Sequence, residues 1–228
     1  MTGWMVLGTD TGVGKSHISC ALLYGLRARG ILALGMKPVA TGCDVVGADN
    51  ADVIALKEAS ARQLRDGSPV PSEWINPYRF DAPVAPHLAA RRAGQSLSFA
   101  CIAEAQACLM RHSEALVVEG AGGVLVPLGA DGDMADLARH LNLPVILVVG
   151  MRLGCLNHAF LSAEALAARA VRWSGWVANC LEPDLAELEG QLETLKARLP
   201  GPCLGVYPYG VPPQLGYTAL AWTQLLPG

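Results

Sequence analysis

The chain has 228 residues, of which 52% are hydrophobic and 16% charged, and its formal net charge is −3. This composition is typical of a globular protein with a large core and excludes disordered, collagen-like and coiled-coil proteins. It also lacks the basic excess of a nucleic-acid-binding protein, and its longest apolar run, residues 143–151, is about half the ~20 residues of a membrane-spanning helix. Seven cysteines without a C-x-x-C pair are expected to be free thiols in a reducing compartment. We therefore expect a cytoplasmic protein that binds neither nucleic acid nor membrane.

Apolar segments alternate with helical patterns along the chain. The predicted strands, apolar throughout as in parallel sheets covered on both faces, are residues 4–7, 32–36, 115–118, 145–149, 175–178 and 203–206. The predicted helices are residues 14–29, 96–111, 157–172 and 184–198. This alternation predicts one α/β domain over residues 1–228 with a doubly wound, mostly parallel sheet. Residues 65–86 contain five prolines and no clear period, and are predicted to form a long ordered loop of the kind that is often functional.

The first strand runs directly into a glycine-rich segment, residues 8–16, with the sequence GTDTGVGKS, and a predicted helix follows. A glycine-rich turn lets several backbone N–H groups point at one anion, and the helix N-terminus adds the positive end of its dipole. In such a loop Lys15 would reach the β- and γ-phosphates and the Ser16 hydroxyl would bind Mg²⁺. The usual motif has glycine where this chain has Thr9, and its glycine lies one residue earlier. The strand–loop–helix context favours a triphosphate site of the P-loop type over a glycine turn with a surface lysine.

Two carboxylates are candidates to complete a magnesium site, because Mg²⁺ prefers hard oxygen ligands. Glu119 follows the predicted strand 115–118 and precedes Gly120-Ala121-Gly122-Gly123, where open α/β sheets place their ligands. Asp52 lies just before a helical stretch, so a helix-start carboxylate is an equally good interpretation of its position.

A second lysine, Lys37, ends the predicted second strand and therefore lies on the same sheet edge as the glycine-rich loop. A lysine at a strand end commonly extends its ammonium group to solvent. Burying it there would cost desolvation unless an anion pairs with it. Two lysines at one edge favour a site for more negative charge than one triphosphate carries.

Taken together, these motifs resemble the dethiobiotin synthetase family. The resemblance rests on GTDTGVGKS at residues 8–16, KPVATG at 37–42, NPY at 76–78 with PH at 86–87, EGAGG at 119–123, GCLNH at 154–158 and WVAN at 176–179. It implies a P-loop fold, a homodimer, and an ATP- and Mg²⁺-dependent cyclo-ligase. Such an enzyme carboxylates 7,8-diaminononanoate with CO₂ and closes a ureido ring, giving dethiobiotin, ADP and phosphate.

The resemblance also implies roles for individual residues. Catalysis is expected of Thr11, Lys15 and Lys37, and magnesium binding of Ser16, Asp52 and Glu119. ATP binding is expected of Gly12, Val13, Gly14, Lys15, Ser16, His17, Asp52, Glu119, Gly120, Ala121, Gly122, Asn179 and Pro208. Substrate binding is expected of Thr41, Gly154, Cys155, Leu156 and Asn157.

Three alternatives share the phosphate-loop signal. A partitioning ATPase of the MinD/ParA group would carry a lysine where this loop has Asp10, and the basic amphipathic helix of a membrane-targeted member is missing from residues 221–228. A cobyrinate-type amidase would need a glutaminase domain for which 228 residues leave no room. A non-catalytic nucleotide-binding module stays open if Lys37 or Glu119 lies away from the loop.

Overall fold

The computed structural model describes residues 2–43 and 49–226. Its strands are β1 (Thr2–Gly8), β2 (Ala33–Met36), β3 (Val39–Thr41), β4 (Tyr78–Phe80), β5 (Ala115–Gly123), β6 (Pro127–Gly129), β7 (Gly132–Asp133), β8 (Val145–Met151), β9 (Trp173–Cys180) and β10 (Cys203–Tyr207). Its α-helices are α1 (Lys15–Arg27), α2 (Ala51–Ala59), α3 (Ser72–Ile75), α4 (Pro86–Arg92), α5 (Phe99–Arg111), α6 (Met134–His140), α7 (Cys155–Ala168), α8 (Leu188–Arg198), α9 (Pro213–Gly216) and α10 (Trp222–Leu225).

Six strands form the central sheet in the order β10-β9-β8-β1-β5-β2, and every neighbouring pair is parallel. Short parallel strands require helical crossovers, which cover both faces of the sheet. Along β1, Met5 and Leu7 belong to the core beneath α5, α6 and α7, whereas Trp4 and Val6 belong to the core beneath α1. The predicted fold class, a doubly wound α/β sheet of the P-loop type, is confirmed.

The prediction for residues 65–86 was wrong in part, because that segment contains α3 and β4, and α4 begins at Pro86. Strand β4 is only three residues long, too short to show a period, and it pairs in parallel with β3. Proline suits the first turn of a helix, where its missing N–H is not needed, so Pro86 starts α4 rather than marking a loop.

Several boundaries also differ from the predicted ones. Strand β5 continues beyond Val118 to Gly123, so Glu119 lies within the strand rather than at its end. Helix α7 begins two residues earlier than predicted and ends at Ala168, and Ala170 has a left-handed backbone (φ 53°) that is incompatible with a longer helix. Helix α8 begins at Leu188 after Glu187, which is also left-handed (φ 57°).

All seven cysteines lie in the described residues, and no disulfide joins any two of them there. Among the helices of residues 2–43 and 49–226, none is both long enough and apolar enough to cross a membrane.

Candidate active site

Parallel strands end at one edge of the sheet, and this edge carries the glycine-rich loop. Strand β1 ends at Gly8 and α1 begins at Lys15, with Gly12 and Gly14 in left-handed conformations (φ 76° and 87°). At Gly14 a side chain is also sterically excluded, since a Cβ there would lie 2.1 Å from the Asn179 amide nitrogen. That nitrogen donates a 2.9 Å hydrogen bond to the Val13 carbonyl. The end of β9 thus holds the loop against the N-terminus of α1.

Lys15 lies folded over the same loop. Its ammonium nitrogen donates a hydrogen bond of 2.9 Å to the Asp10 carbonyl oxygen, and the residue is buried. Burial, together with the nearby charge of Lys37, lowers the Lys15 pKa from its usual value to about 8. A charged ammonium group that is desolvated in this way is strongly stabilised when an anionic ligand enters the site.

The Ser16 hydroxyl lies between the two predicted metal carboxylates. Its oxygen is 2.7 Å from Asp52 Oδ1 and 2.7 Å from Glu119 Oε1. Asp52 is in the first turn of α2, which Asn50 caps by accepting a hydrogen bond from the Val53 amide. Asp52 is therefore both a helix-start carboxylate and a member of this cluster. The helix-start interpretation of its sequence position is confirmed, and its role as a magnesium ligand stays a prediction.

The Lys37 ammonium group lies against the same two carboxylates. It is hydrogen-bonded to Glu119 Oε1 and, at 2.9 Å, to Asp52 Oδ2. Burial disfavours its charge, but Glu119 and Asp52 outweigh that effect and raise the Lys37 pKa above its usual value. Burial likewise opposes ionisation of Asp52, yet the charge of Lys37 and hydrogen bonds from Lys37 and Ser16 hold the Asp52 pKa below its usual value. Both lysines predicted from the sequence thus reach one site.

The oxygen cluster is suited to Mg²⁺ by its chemistry. Glu119 is completely buried, and its Oε2 atom has no hydrogen-bond partner within the described part of the chain. A buried carboxylate oxygen without a partner is costly unless a cation or water satisfies it. No group of three or more His, Cys, Asp or Glu side chains suited to a metal occurs among residues 2–43 and 49–226. The donors available are two carboxylates and a hydroxyl, which suit a magnesium ion that keeps several waters and binds substrate phosphates.

These side chains line a cavity of about 790 Å³. Twelve of the predicted site residues line it: Thr11, Gly12, Gly14, Lys15, Ser16, His17, Lys37, Thr41, Asp52, Glu119, Ala121 and Gly122. Sequence reasoning missed Val39, Asn50, Val126 and residues 83–86 in its walls. The proline-rich composition of residues 65–86 was a usable signal for the last of these, whereas the others become neighbours only through tertiary packing.

The other predicted nucleotide residues lie around the cavity rather than in its lining. Val13 and Gly120 are buried and Asn179 lies behind the loop. Pro208 follows β10 and is exposed. The segment after β10 is tied to α1 by a 2.7 Å contact between His17 Nε2 and the Val211 carbonyl oxygen.

The predicted substrate residues 154–157 form the start of α7 and do not line this cavity. Gly154 is left-handed (φ 93°) and Asn157 is exposed. The Cys155 thiol is buried and donates to Gln191 Oε1 at 2.9 Å, which is a packing role. Arg152, just before this helix, pairs with Asp10 of the glycine-rich loop.

The loop between Gly42 and Asp52, which looks short in the sequence, includes residues 44–48, outside the described residues.

Comparison with solved structures identifies relatives of the fold. The MinC:MinD cell division protein complex of Aquifex aeolicus aligns over 91% of this chain and 81% of that chain, with a TM-score of 0.58 and 12% identity. A septum site-determining protein MinD of Pyrococcus horikoshii, solved with Mg-ADP, aligns over 98% and 94%, with a TM-score of 0.54 and 15% identity. At these identities the likeness concerns the fold alone.

Sequence comparison identifies the family. A family model for an AAA domain (AAA_26) matches residues 2–212. An ATP-dependent dethiobiotin synthetase BioD of Xanthomonas euvesicatoria is 48% identical over 206 residues, covering 90% of this chain and 89% of that protein. The protein of the same name from Xylella fastidiosa strain Temecula1 is 44% identical over 230 residues, covering 100% and 98%. The resemblance seen in the motifs is confirmed, and the chain belongs to the family of ATP-dependent dethiobiotin synthetases, the ATP-using ligases of biotin synthesis.

Proposed function

We propose that the chain joins CO₂ to 7,8-diaminononanoate at the expense of ATP and closes the ureido ring of dethiobiotin. The observation that carries this proposal is the convergence of Lys15 and Lys37 with Ser16, Asp52 and Glu119 in one cavity. Moving a phosphoryl group onto a carbamate brings two anions together, which requires fixed positive charge where negative charge develops. A site that only bound and hydrolysed a nucleotide would have less need of a second buried lysine.

The reaction is proposed to proceed in three steps. The 7-amino group adds to CO₂ and loses a proton, giving a carbamate. A carbamate oxygen then attacks the γ-phosphorus of ATP, so that the bond to ADP breaks and a carbamic–phosphoric anhydride forms. Finally the neighbouring amine attacks the anhydride carbonyl carbon, loses a proton and expels phosphate as the ring closes. No covalent bond to the protein is needed in this sequence.

The residues of the cavity divide these tasks by position. Lys15, which lies over the glycine-rich loop, binds the β- and γ-phosphates, while the main-chain N–H groups of residues 12–14 enclose them. Lys37, on the Glu119 side, stabilises the charge on the carbamate and on the phosphoryl group in transfer. The hydroxyl groups of Thr11 and Thr41, both in the cavity wall, donate hydrogen bonds to these oxygens. A Mg²⁺ ion held by Ser16, Asp52 and Glu119 would neutralise phosphate charge.

The adenine and the far end of the diamine are assigned to neighbouring segments. The side-chain nitrogen of Asn179 donates a hydrogen bond to the Val13 carbonyl of the glycine-rich loop. Its amide oxygen is then left to accept a hydrogen bond from the exocyclic amine of adenine. His17 and Pro208 flank the same region. The Cys155 N–H already donates to the Arg152 carbonyl at 3.0 Å, so the substrate carboxylate is assigned to the N–H groups of Leu156 and Asn157 in the first turn of α7.

We also infer that two copies of the chain assemble as a homodimer, with this substrate end near their interface. Leu153, directly before α7, is 94% exposed, and Leu161 on α7 is 57% exposed. Large apolar side chains grouped at one element are typical of a surface that another protein covers. The molar mass in solution, measured by light scattering, tests this inference, and a mass of one chain at micromolar concentration would contradict it.

The decisive experiment measures ADP release by the purified protein with MgATP and bicarbonate, with and without the diamine. The proposal requires release that depends on the diamine and a product that has gained one carbonyl and lost two hydrogens. Diamine-independent hydrolysis, or no reaction, would contradict it and favour an ATPase that acts through a protein partner.

A second arm tests the proposed intermediate. With ¹⁸O-labelled bicarbonate, the carbamate oxygen that attacks the γ-phosphorus leaves with the phosphate, so one ¹⁸O atom per turnover should appear in inorganic phosphate. Unlabelled phosphate alongside normal ring closure would exclude the carbamic–phosphoric anhydride while leaving the overall reaction intact.

A further inference from the structure

We propose that Asn76 is a positioning residue for Lys37, an inference that rests on the function proposed above. Asn76 is only 3% exposed and lies directly after α3. Its side-chain nitrogen donates hydrogen bonds to two main-chain carbonyl oxygens, 2.7 Å to Lys37 and 2.9 Å to Tyr78. Because both partners are acceptors, this end of the side chain must be the NH₂ group.

The main chain at Lys37 needs such a partner because the sheet does not supply one. Strand β2 leaves the central sheet at Met36, and Pro38 has no N–H with which to continue a ladder. The Lys37 N–H instead donates to the Ile75 carbonyl at 2.8 Å. With Asn76 binding the Lys37 carbonyl, both main-chain polar groups of Lys37 are held by residues 75–76.

The contacts continue into the substrate side of the cavity. The Tyr78 N–H donates to the Pro38 carbonyl at 3.1 Å, and β4 then pairs with β3 as far as Thr41 opposite Phe80. Asn76 therefore lies where the pairing of β3 with β4 begins, and this pairing supports both Lys37 and Thr41. It does not line the cavity, so its effect on the reaction is transmitted through the Lys37 main chain.

The position of Lys37 is demanding because its ammonium group is buried and bonded to Glu119, Asp52 and, at 3.4 Å, the Gly120 carbonyl. A misplacement of about 1 Å at a reacting centre can cost about 10²-fold in rate. Lys15 is anchored independently through Asp10. Loss of the Asn76 contact should therefore affect phosphoryl transfer much more than nucleotide binding.

The test compares Asn76→Ser and Asn76→Asp with Tyr78→Phe in the full-length protein. Serine is too short to reach both carbonyls, and aspartate has the same shape but no NH₂ group. Tyr78→Phe is a matched control in the same segment, because its hydroxyl accepts a hydrogen bond from the Ser98 amide and makes no contact with Lys37. For each variant, kcat and KM for ATP are measured in the diamine-dependent reaction, with nucleotide affinity and thermal unfolding in parallel.

For the Asn76 variants we expect kcat to fall about 10²-fold, while KM for ATP and nucleotide affinity stay within about twofold of wild type. Tyr78→Phe should lose thermal stability but keep kcat. Unchanged kcat in a folded Asn76 variant, or an equal loss in Tyr78→Phe, would overturn the positioning role. So would failure of both Asn76 variants to fold, which would make Asn76 a determinant of folding instead. Absence of diamine-dependent turnover in the wild type would refute the proposed function itself.

Discussion

The Asp10 carboxylate links the glycine-rich loop to the segment before α7 through Arg152. One of its oxygens accepts a hydrogen bond from the Thr11 N–H at 2.7 Å, and the other lies 2.8 Å from the Arg152 guanidinium group. Arg152 directly precedes the exposed turn that starts α7. The conformation of the glycine-rich loop is thereby coupled to the segment to which we assign the substrate carboxylate.

Arg152→Gln is expected to raise KM for the diamine by about 1.4- to fivefold, with little change in kcat. Both partners of this ion pair are partly exposed, and such pairs typically contribute only about 0.2–1 kcal/mol. Because salt screens exposed charges, the difference between wild type and variant should shrink as ionic strength increases. Steady-state kinetics at two salt concentrations check this, with Arg92→Gln at the exposed end of α4 as the control. If the difference in KM between wild type and variant did not depend on salt, Arg152 would act on diamine binding by something other than this exposed ion pair.

Glu119→Gln is expected to weaken nucleotide binding in the presence of Mg²⁺ by at least about tenfold, or ~1.4 kcal/mol, and metal-free binding by much less. The variant keeps the shape of the side chain but removes the charge of the buried oxygen cluster around Ser16. Titrations with and without Mg²⁺ separate the two effects. Glu104→Gln, on the exposed side of α5, is the matched control. Equal losses in both titrations would mean that Glu119 does not bind the metal.

The glycine-rich loop was predictable because all its signals are contiguous: a strand end, three glycines and a helix start lie within nine residues. Lys37 and Glu119 were predictable for a related reason, since the carboxyl-terminal parts of parallel strands and the residues that follow them meet at one sheet edge. The cavity walls were not. Val39 and residues 83–86 reach the site through the β3–β4 pairing and the start of α4, which are too short to give a periodic pattern.

Two helix boundaries were mispredicted because they depend on backbone conformations that cannot be predicted from the residue types at those positions. Ala170 and Glu187 have positive φ angles, which glycine or asparagine would have signalled but alanine and glutamate do not. The Asp10–Arg152 and Asn76–Lys37 contacts likewise join residues 142 and 39 positions apart. Such contacts follow from the packed fold rather than from any local pattern.

Lys37→Met is expected to reduce kcat for ring closure by at least about 10³-fold, the lower limit for fixed cations that stabilise a transferring phosphoryl group. Nucleotide affinity should change little, because Lys15 and the loop main chain remain. Diamine-dependent ADP release and a nucleotide titration measure the two quantities. A turnover rate close to wild type would remove Lys37 from the catalytic group.

The same variant needs a control for stability, since methionine leaves the fully buried Glu119 without its cation. Removing one partner of a buried ion pair typically costs about 3–5 kcal/mol. The double variant Lys37→Met/Glu119→Gln should recover part of that loss. Denaturant unfolding of the three proteins establishes whether lost turnover reflects chemistry or unfolding.

Gly12→Ala and Gly14→Ala form a matched pair that separates backbone conformation from steric exclusion in the loop. Both glycines are left-handed, which costs a residue with a side chain about 1–2 kcal/mol. A Cβ at Gly12 meets nothing within 4 Å, whereas one at Gly14 would lie 2.1 Å from the Asn179 amide nitrogen. We therefore expect Gly12→Ala to lower the free energy of unfolding by about 1–2 kcal/mol and Gly14→Ala to lower it by clearly more.

Adding Asn179→Ala should recover part of the loss in Gly14→Ala and none of the loss in Gly12→Ala, because only the first variant clashes with that side chain. Denaturant unfolding of the single and double variants gives the coupling between the sites. Equal losses in the two glycine variants, or no recovery in the double variant, would mean that Asn179 moves aside freely. In that case the hydrogen bond from Asn179 to the Val13 carbonyl would not be what holds the loop against α1.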